Sequence, residues 1–129
     1  MSPNRATPFN YSVTHREGAA VFSLVGDLSL EATATLRRVF WECINGNDVG
    51  KLVLDLSSIS SLDSTMISLF VATKNVVAKR RGRLVLVGLK PADYQLLEQT
   101  HLHHYFDIRQ DLSAALNEEE AASSATTGE

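Results

Sequence analysis

The sequence predicts an α/β domain: a mixed β-sheet of about four to five strands packed with about four helices. Three observations carry this prediction. Leu52-Val53-Leu54-Asp55-Leu56 and Leu84-Val85-Leu86-Val87 are short apolar runs with the length of buried strands, bounded by charged residues, serines and a glycine. A longer segment with apolar residues three and four apart precedes each run, which is the order of parallel strands joined by helical crossovers. Ahead of both runs stand two further strand-like segments separated by a turn, and an antiparallel hairpin there makes the sheet mixed.

In chain order, Phe9, Tyr11 and Val13 alternate as in a strand. His15-Arg16-Glu17-Gly18 reads as a turn, Ala20 to Val25 as the second strand, and Gly26-Asp27 as its end. Ser29 is placed to cap a helix whose Leu36, Val39, Phe40, Cys43 and Ile44 share one face, and Asn45-Gly46-Asn47 stops it with residues that tolerate left-handed backbone. After the strand at Leu52–Leu56, helical periodicity runs from Ser64 to Arg81, with Lys79, Arg80 and Arg81 complementing the helix dipole and Gly82 just beyond the end. The strand from Arg83 to Val87 follows. Pro91 and Ala92 open a short helix through Leu96 and Leu97, Tyr105 to Ile108 read as an edge strand, and Leu112 to Leu116 as a last helix.

A chain of 129 residues, 44% hydrophobic and 21% charged, supports one core rather than two. The expected division is a flexible leader at 1–8, one domain at 9–117 and a disordered acidic tail at 118–129, rich in Ala, Ser and Thr. Net charge is -3, but Glu118, Glu119, Glu120 and Glu129 lie in the tail; twelve basic against the remaining eleven acidic residues leave the body at +1. That balance gives no electrostatic grip on nucleic acid or on an anionic membrane. The lone Cys43 has no internal disulfide partner and reads as a core residue in a reducing compartment. With neither a signal peptide nor an apolar membrane span in view, the expected location is cytoplasmic.

The stretch Lys51 to Met66 concentrates the chemistry. A buried strand delivers Asp63-Ser64-Thr65 to the start of a long apolar helix, where hydroxyls face solvent. The unpaired amides of a helix N-terminus tolerate an anion, so a phosphoserine at position 64 can be accommodated. Phosphate adds roughly -1.5 to -2 charges, enough to abolish docking onto a partner that must desolvate or oppose it. The plainer reading is that Asp63, Ser64 and Thr65 only cap the helix.

Other constellations carry less. His101, His103 and His104, with Asp107 as the nearby carboxylate, lack a zinc ligand set and read as a surface turn. There is no Gly-x-Ser-x-Gly elbow for a hydrolase and no phosphate-cradling glycine loop for a nucleotide. Lys79-Arg80-Arg81 with Arg83 reads as a solvated helix end.

Gly26-Asp27-Leu28, Leu54-Asp55-Leu56-Ser57, Leu62-Asp63-Ser64-Thr65 and Gly82 to Gly88 stand in the order and spacing of STAS domains, the bacterial anti-sigma factor antagonists, which this sequence resembles from about residue 9 to 117. The resemblance implies that Ser64 is the site phosphorylated by a partner serine kinase, that Thr65 is the second hydroxyl position and that Asp63 is the aspartate before the acceptor. Met66 and Ile67 stand where the family usually has glycine and leucine, and Ser29 where it often has an acidic residue. The expected consequence is a larger side chain, Met66, near the contact surface.

By resemblance the chain is a non-enzymatic regulator with no cofactor of its own. Its unphosphorylated form binds an anti-sigma factor or related serine kinase and releases that protein's target. Phosphorylation of Ser64 blocks the complex and a serine phosphatase restores it; ATP and magnesium belong to the kinase. The expected docking residues are Gly26, Asp27, Leu28 and Ser29 in one loop, Ser58, Ser60 and Ser61 in a second, and Asp63, Ser64, Thr65 and Met66 at the helix start. The chain itself is expected to be a monomer or weak dimer. The alternative is a STAS scaffold or oligomerising subunit that phosphate does not switch.

Overall fold

The computed structural model describes residues 8–16, 18–28, 30–46, 50–60 and 62–116. The predicted leader and acidic tail lie outside these, apart from Pro8, as do Glu17, Ser29 and Ser61. The elements are β1 (Asn10–Arg16), β2 (Ala19–Gly26), α1 (Leu30–Gly46), β3 (Lys51–Ile59), α2 (Ser64–Lys79), β4 (Arg83–Val87), α3 (Pro91–Gln99), β5 (Asp107–Arg109) and α4 (Leu112–Leu116). They form the five-stranded mixed sheet with helices that the sequence predicts, in strand order β1-β2-β3-β4-β5. β1 pairs antiparallel with β2, and every later pair is parallel. Because each crossover steps to the next strand in the same direction, a common handedness puts α1, α2 and α3 on one face of the sheet.

Alternation along β3 and β4 sorts the core by residue size. Leu52, Leu54 and Leu56 face the three crossover helices together with Leu84 and Leu86, and there they pack with Phe22, Phe40, Phe70, Leu36, Leu69 and Leu97. Val53, Val85 and Val87 face the other way and, with Val21, meet Ala115 of α4. Cross-strand register aligns Val21 with Val53 and Val53 with Val85, so one face carries a row of small branched side chains under a single-turn helix. Lys51 holds that helix. Its buried ammonium donates to the Ala115 carbonyl at 2.7 Å, near the negative end of α4.

Several element ends differ from the sequence reading for local reasons. β1 keeps His15 and Arg16, which pair with Ala20 and Ala19 rather than belonging to a turn. β3 continues past Leu56 to Ile59 through a bulge: Ser23 pairs with Asp55 but Val25 pairs with Ser58. Asp55 Oδ1 stabilises the bulge by accepting from the Ser57 amide at 3.1 Å and hydroxyl at 2.7 Å. Ser57 and Ser58 are both exposed, while Leu56 and Ile59 stay buried.

The helix stops also differ. The left-handed residue after α2 is Arg81 (φ 63°), not Gly82, and after α3 it is His101 (φ 61°). Gly82 N–H donates to Val77 and Leu102 N–H to Leu97, the six-to-one bond of a Schellman motif in each case. Gly82 is needed for space, since a Cβ there meets Val77 Cγ1 at 2.8 Å. The edge strand is Asp107–Arg109 rather than Tyr105–Ile108, because the buried Phe106 turns into the core and the Tyr105 hydroxyl donates to Asn75 at 2.7 Å. Asp107 binds Arg83 on the neighbouring strand and Arg109 at 2.6 Å, closing this short edge with charge. No described helix is long and apolar enough to cross a membrane.

Two glycines in left-handed backbone separate conformational cost from steric cost. Gly18 (φ +82°) has open space where a Cβ would stand, whereas a Cβ on Gly88 (φ +76°) meets Ser57 Cβ at 2.8 Å and its backbone nitrogen at 3.0 Å. Urea unfolding is expected to show Gly18→Ala losing about 1–2 kcal/mol, the left-handed penalty alone. Gly88→Ala is expected to lose about 3 kcal/mol or more, because the clash with the bulge adds to that penalty.

Candidate functional site

Parallel strands deliver their following loops to one end of the sheet, and the carboxyl ends of β2, β3 and β4 therefore share a rim. The chain leaves β2 at Gly26, β3 at Ile59 and β4 at Val87, and the rim gathers the starts of α1, α2 and α3. Contacts between these loops are direct. Ser60 N–H donates to the Gly26 carbonyl at 2.9 Å, joining the first two loops. From the third, Lys90 donates to the Ile59 carbonyl and Asp93 Oδ1 accepts from Leu62 N–H at 3.1 Å.

At the centre of the rim α2 begins. Asp63 is its N-cap, in extended backbone, and its carboxylate accepts from Met66 N–H at 2.9 Å. The first intrahelical bond runs from Ile67 N–H to the Asp63 carbonyl at 3.0 Å. Ser64 and Thr65 occupy the first two helical positions, both exposed, with amides that the helix's own ladder does not use. The capping function therefore belongs to Asp63 alone, and the Ser64 hydroxyl is not needed to start the helix. The cap of the plainer reading is thus made by one member of the triplet.

The predicted docking residues do not all reach this surface. Asp27 is half-buried and Ser60, Asp63, Ser64 and Thr65 are exposed. Ser58 is exposed but belongs to β3, paired with Val25, rather than to the loop. Gly26 is buried and contributes its carbonyl. Leu28 is buried in the main core, so it anchors its loop instead of offering a contact. Met66 requires the clearest correction: its side chain is 0% exposed, packed in the main core, and adds nothing to the contact surface. As the third helical residue it points back beneath the helix start, the direction that helical side chains take. Ser29 and Ser61 lie outside the described residues.

Three rim residues were not singled out from sequence. Leu30, the first residue of α1, is 78% exposed, a solvated leucine beside the first loop. Its apolar character in a helical segment reads as core. Lys90 and Asp93 flank Pro91 at the start of α3 and read from sequence as that helix's own first turn; only the crossover places them against the loop after β3. The histidines at 101, 103 and 104 lie away from the rim, between α3 and β5: the His103 and His104 rings meet at 4.0 Å, tilted by 39°, and Tyr94 meets His103 edge-on. Among the described residues no group of three or more His, Cys, Asp or Glu could hold a metal ion.

Residues 10–115 match the model of the STAS domain family. Solved structures share the fold. An anti-sigma factor antagonist from Mycobacterium paratuberculosis superposes with a TM-score of 0.76 at 24% identity, covering 85% of this chain and 92% of its own. The anti-sigma factor antagonist SpoIIAA in its unphosphorylated form gives 0.74 at 18%, covering 88% and 97%. A chain of the stressosome, a signal integration and transduction hub, gives 0.72 at 17%, covering 87% and 98%.

Burial of Met66 sets a prediction that runs against its surface reading. Met66→Gly, which puts in place the glycine that the STAS resemblance implies, is expected to lower unfolding free energy by about 3–5 kcal/mol, through the cavity left and the helix propensity lost. Chemical denaturation checks it; a loss under about 1 kcal/mol would return Met66 to the surface.

Proposed function

The chain belongs to the STAS domain family, and from that premise we propose that it is an anti-sigma factor antagonist switched by phosphate on Ser64. The observation that carries the proposal is the division of labour at the start of α2: Asp63 makes the cap while the Ser64 hydroxyl stands exposed at the first helical position. A kinase can modify that hydroxyl without unmaking a bond that the fold uses.

In this reading the unphosphorylated rim binds an anti-sigma factor or a serine kinase of that type and frees the protein it holds. Leu30 supplies an exposed apolar side chain on the rim, and the exposed hydroxyls of Ser60 and Ser64 on the same rim offer groups that a partner can hydrogen-bond. A phosphate on Ser64 places up to two charges beside the Asp63 carboxylate, on a surface that the partner must desolvate. Removal by a serine phosphatase restores docking. Catalysis, ATP and magnesium reside in the partner, and the chain acts as ligand and substrate.

The fold shared with a stressosome chain supports a second reading, a scaffold subunit of a larger assembly. Size-exclusion chromatography of the full chain separates the two: a large stable assembly favours the scaffold, a monomer or weak dimer the switch.

The decisive comparison is between Ser64→Ala and Ser64→Asp, titrated calorimetrically against the cognate kinase. Ser64→Ala is expected to bind like the unmodified protein. Ser64→Asp is expected to bind at least about tenfold more weakly, or ~1.4 kcal/mol. Leu30→Asp is expected to weaken binding comparably, with thermal stability unchanged, because its side chain is already solvated. Equal affinities for the two Ser64 variants would overturn the switch.

A further inference from the structure

Two of the contacts that hold the loop between β3 and α2 come from α3, a helix that otherwise has no part in the surface. Lys90, the N-cap residue of α3, makes no side-chain cap bond to its own helix; its ammonium instead donates to the carbonyl of Ile59, the last residue of β3. Asp93, three residues on, stands where an acidic side chain ordinarily serves its own helix N-terminus. Its carboxylate crosses instead to Leu62 N–H at 3.1 Å, one residue before the Asp63 cap and two before Ser64.

The arrangement carries a cost in burial. Asp93 is 5% exposed, and its Oδ2 has no hydrogen-bond partner among the described residues. Burying a carboxylate with one oxygen unmatched is an expensive way to satisfy a single amide, which an asparagine or serine could do without charge. What the contact does achieve is positional. With Ile59 tied to Lys90, Ser60 to Gly26 and Leu62 to Asp93, both ends of the loop are fixed, and so is the angle at which the chain enters α2.

We propose that Asp93 and Lys90 are positioning residues for the modification of Ser64, holding the loop after β3 so that the hydroxyl is presented in one place to the kinase. The inference rests on the reading of Ser64 as a phosphorylation site. Neither side chain touches the reacting atoms. Their effect is on the fraction of molecules whose loop is ordered, and a substrate that is competent only part of the time shows a higher apparent KM with its kcat intact.

The test follows Ser64 phosphorylation by intact mass, using full-length chain at a series of concentrations, with ATP and a fixed amount of native-cell extract as the kinase source. Asp93→Ala is expected to raise KM by about tenfold with kcat unchanged. Asp93→Asn, which keeps an acceptor for Leu62 N–H, is expected to return KM to within about twofold of the wild type. Hydrogen exchange of residues 60–66 is expected to quicken in Asp93→Ala while the strands keep their protection. Should Asp93→Ala fail to fold, Lys90→Met, a change at an exposed side chain, carries the test with an expected KM increase of about threefold. Faster exchange in the loop with an unchanged KM overturns the inference and leaves the Ser64 reading standing. A wild-type chain that takes up no phosphate overturns both.

Discussion

Burial of β3 on both faces is the constraint on which the other elements depend. Leucines on one side of the strand and valines on the other require two covers of different depth, and the chain supplies a layer of three crossover helices for the first and a single short helix for the second. The thin side leaves little area to hold α4, and the Lys51 ammonium compensates by bonding its last turn. A hydrogen bond from a charged donor contributes about 1.5–3 kcal/mol, comparable with the burial of one more aliphatic side chain. The same double burial ends β3 at a defined place, because the bulge at Ser57 lets two serines face solvent before Ile59 returns to the core. The loop that follows is therefore launched from a rigid edge, and its neighbours Gly26 and Asp93 need only short reaches to hold it.

Much of this was legible in the sequence, and the exceptions share a cause. The strands at Leu52 and Leu84, the hairpin, the crossover helices and the exposed serine at the start of α2 all follow from local periodicity and end signals, which depend on residues a few positions apart. The continuation of β3 through Ser57 and Ser58 was not, because a serine pair reads as a strand end unless the Asp55 side chain is known to fold back on it. Arg81 and His101 in left-handed backbone were missed for a similar reason: glycine is the usual residue there, and these helices use the six-to-one bond without it. Leu30, Met66 and Asp93 failed differently. Whether an apolar or acidic residue faces solvent, core or another loop is a tertiary fact. An exposed leucine, a buried methionine and a buried aspartate each depend on contacts that local spacing does not encode.

The correction at Met66 changes how the departure from the family pattern should be understood. A glycine at this position would leave the helix start freer and the core beneath it emptier; methionine fills that space with a flexible side chain suited to irregular gaps. The difference lies under the rim, and its first effect is on how firmly α2 is seated. The exposed side chains on the rim are those of Leu30, Ser60, Asp63, Ser64 and Thr65.

Magnitudes decide what a phosphate at Ser64 would do. Within the fold, an added anion at the start of α2 gains about 0.3–1 kcal/mol from the helix dipole. It also opposes the Asp63 carboxylate, whose capping bond is worth about 1 kcal/mol. The two effects are opposite in sign and each is small against the cost of burying a charge at an interface. Across an interface the balance is different. A phosphate with no opposing cation must lose its water, at several kcal/mol for each buried charge, and no gain of like size offsets this. A modification that is close to neutral for folding and costly for docking acts on the complex and spares the protein, which is the property a reversible binding switch requires.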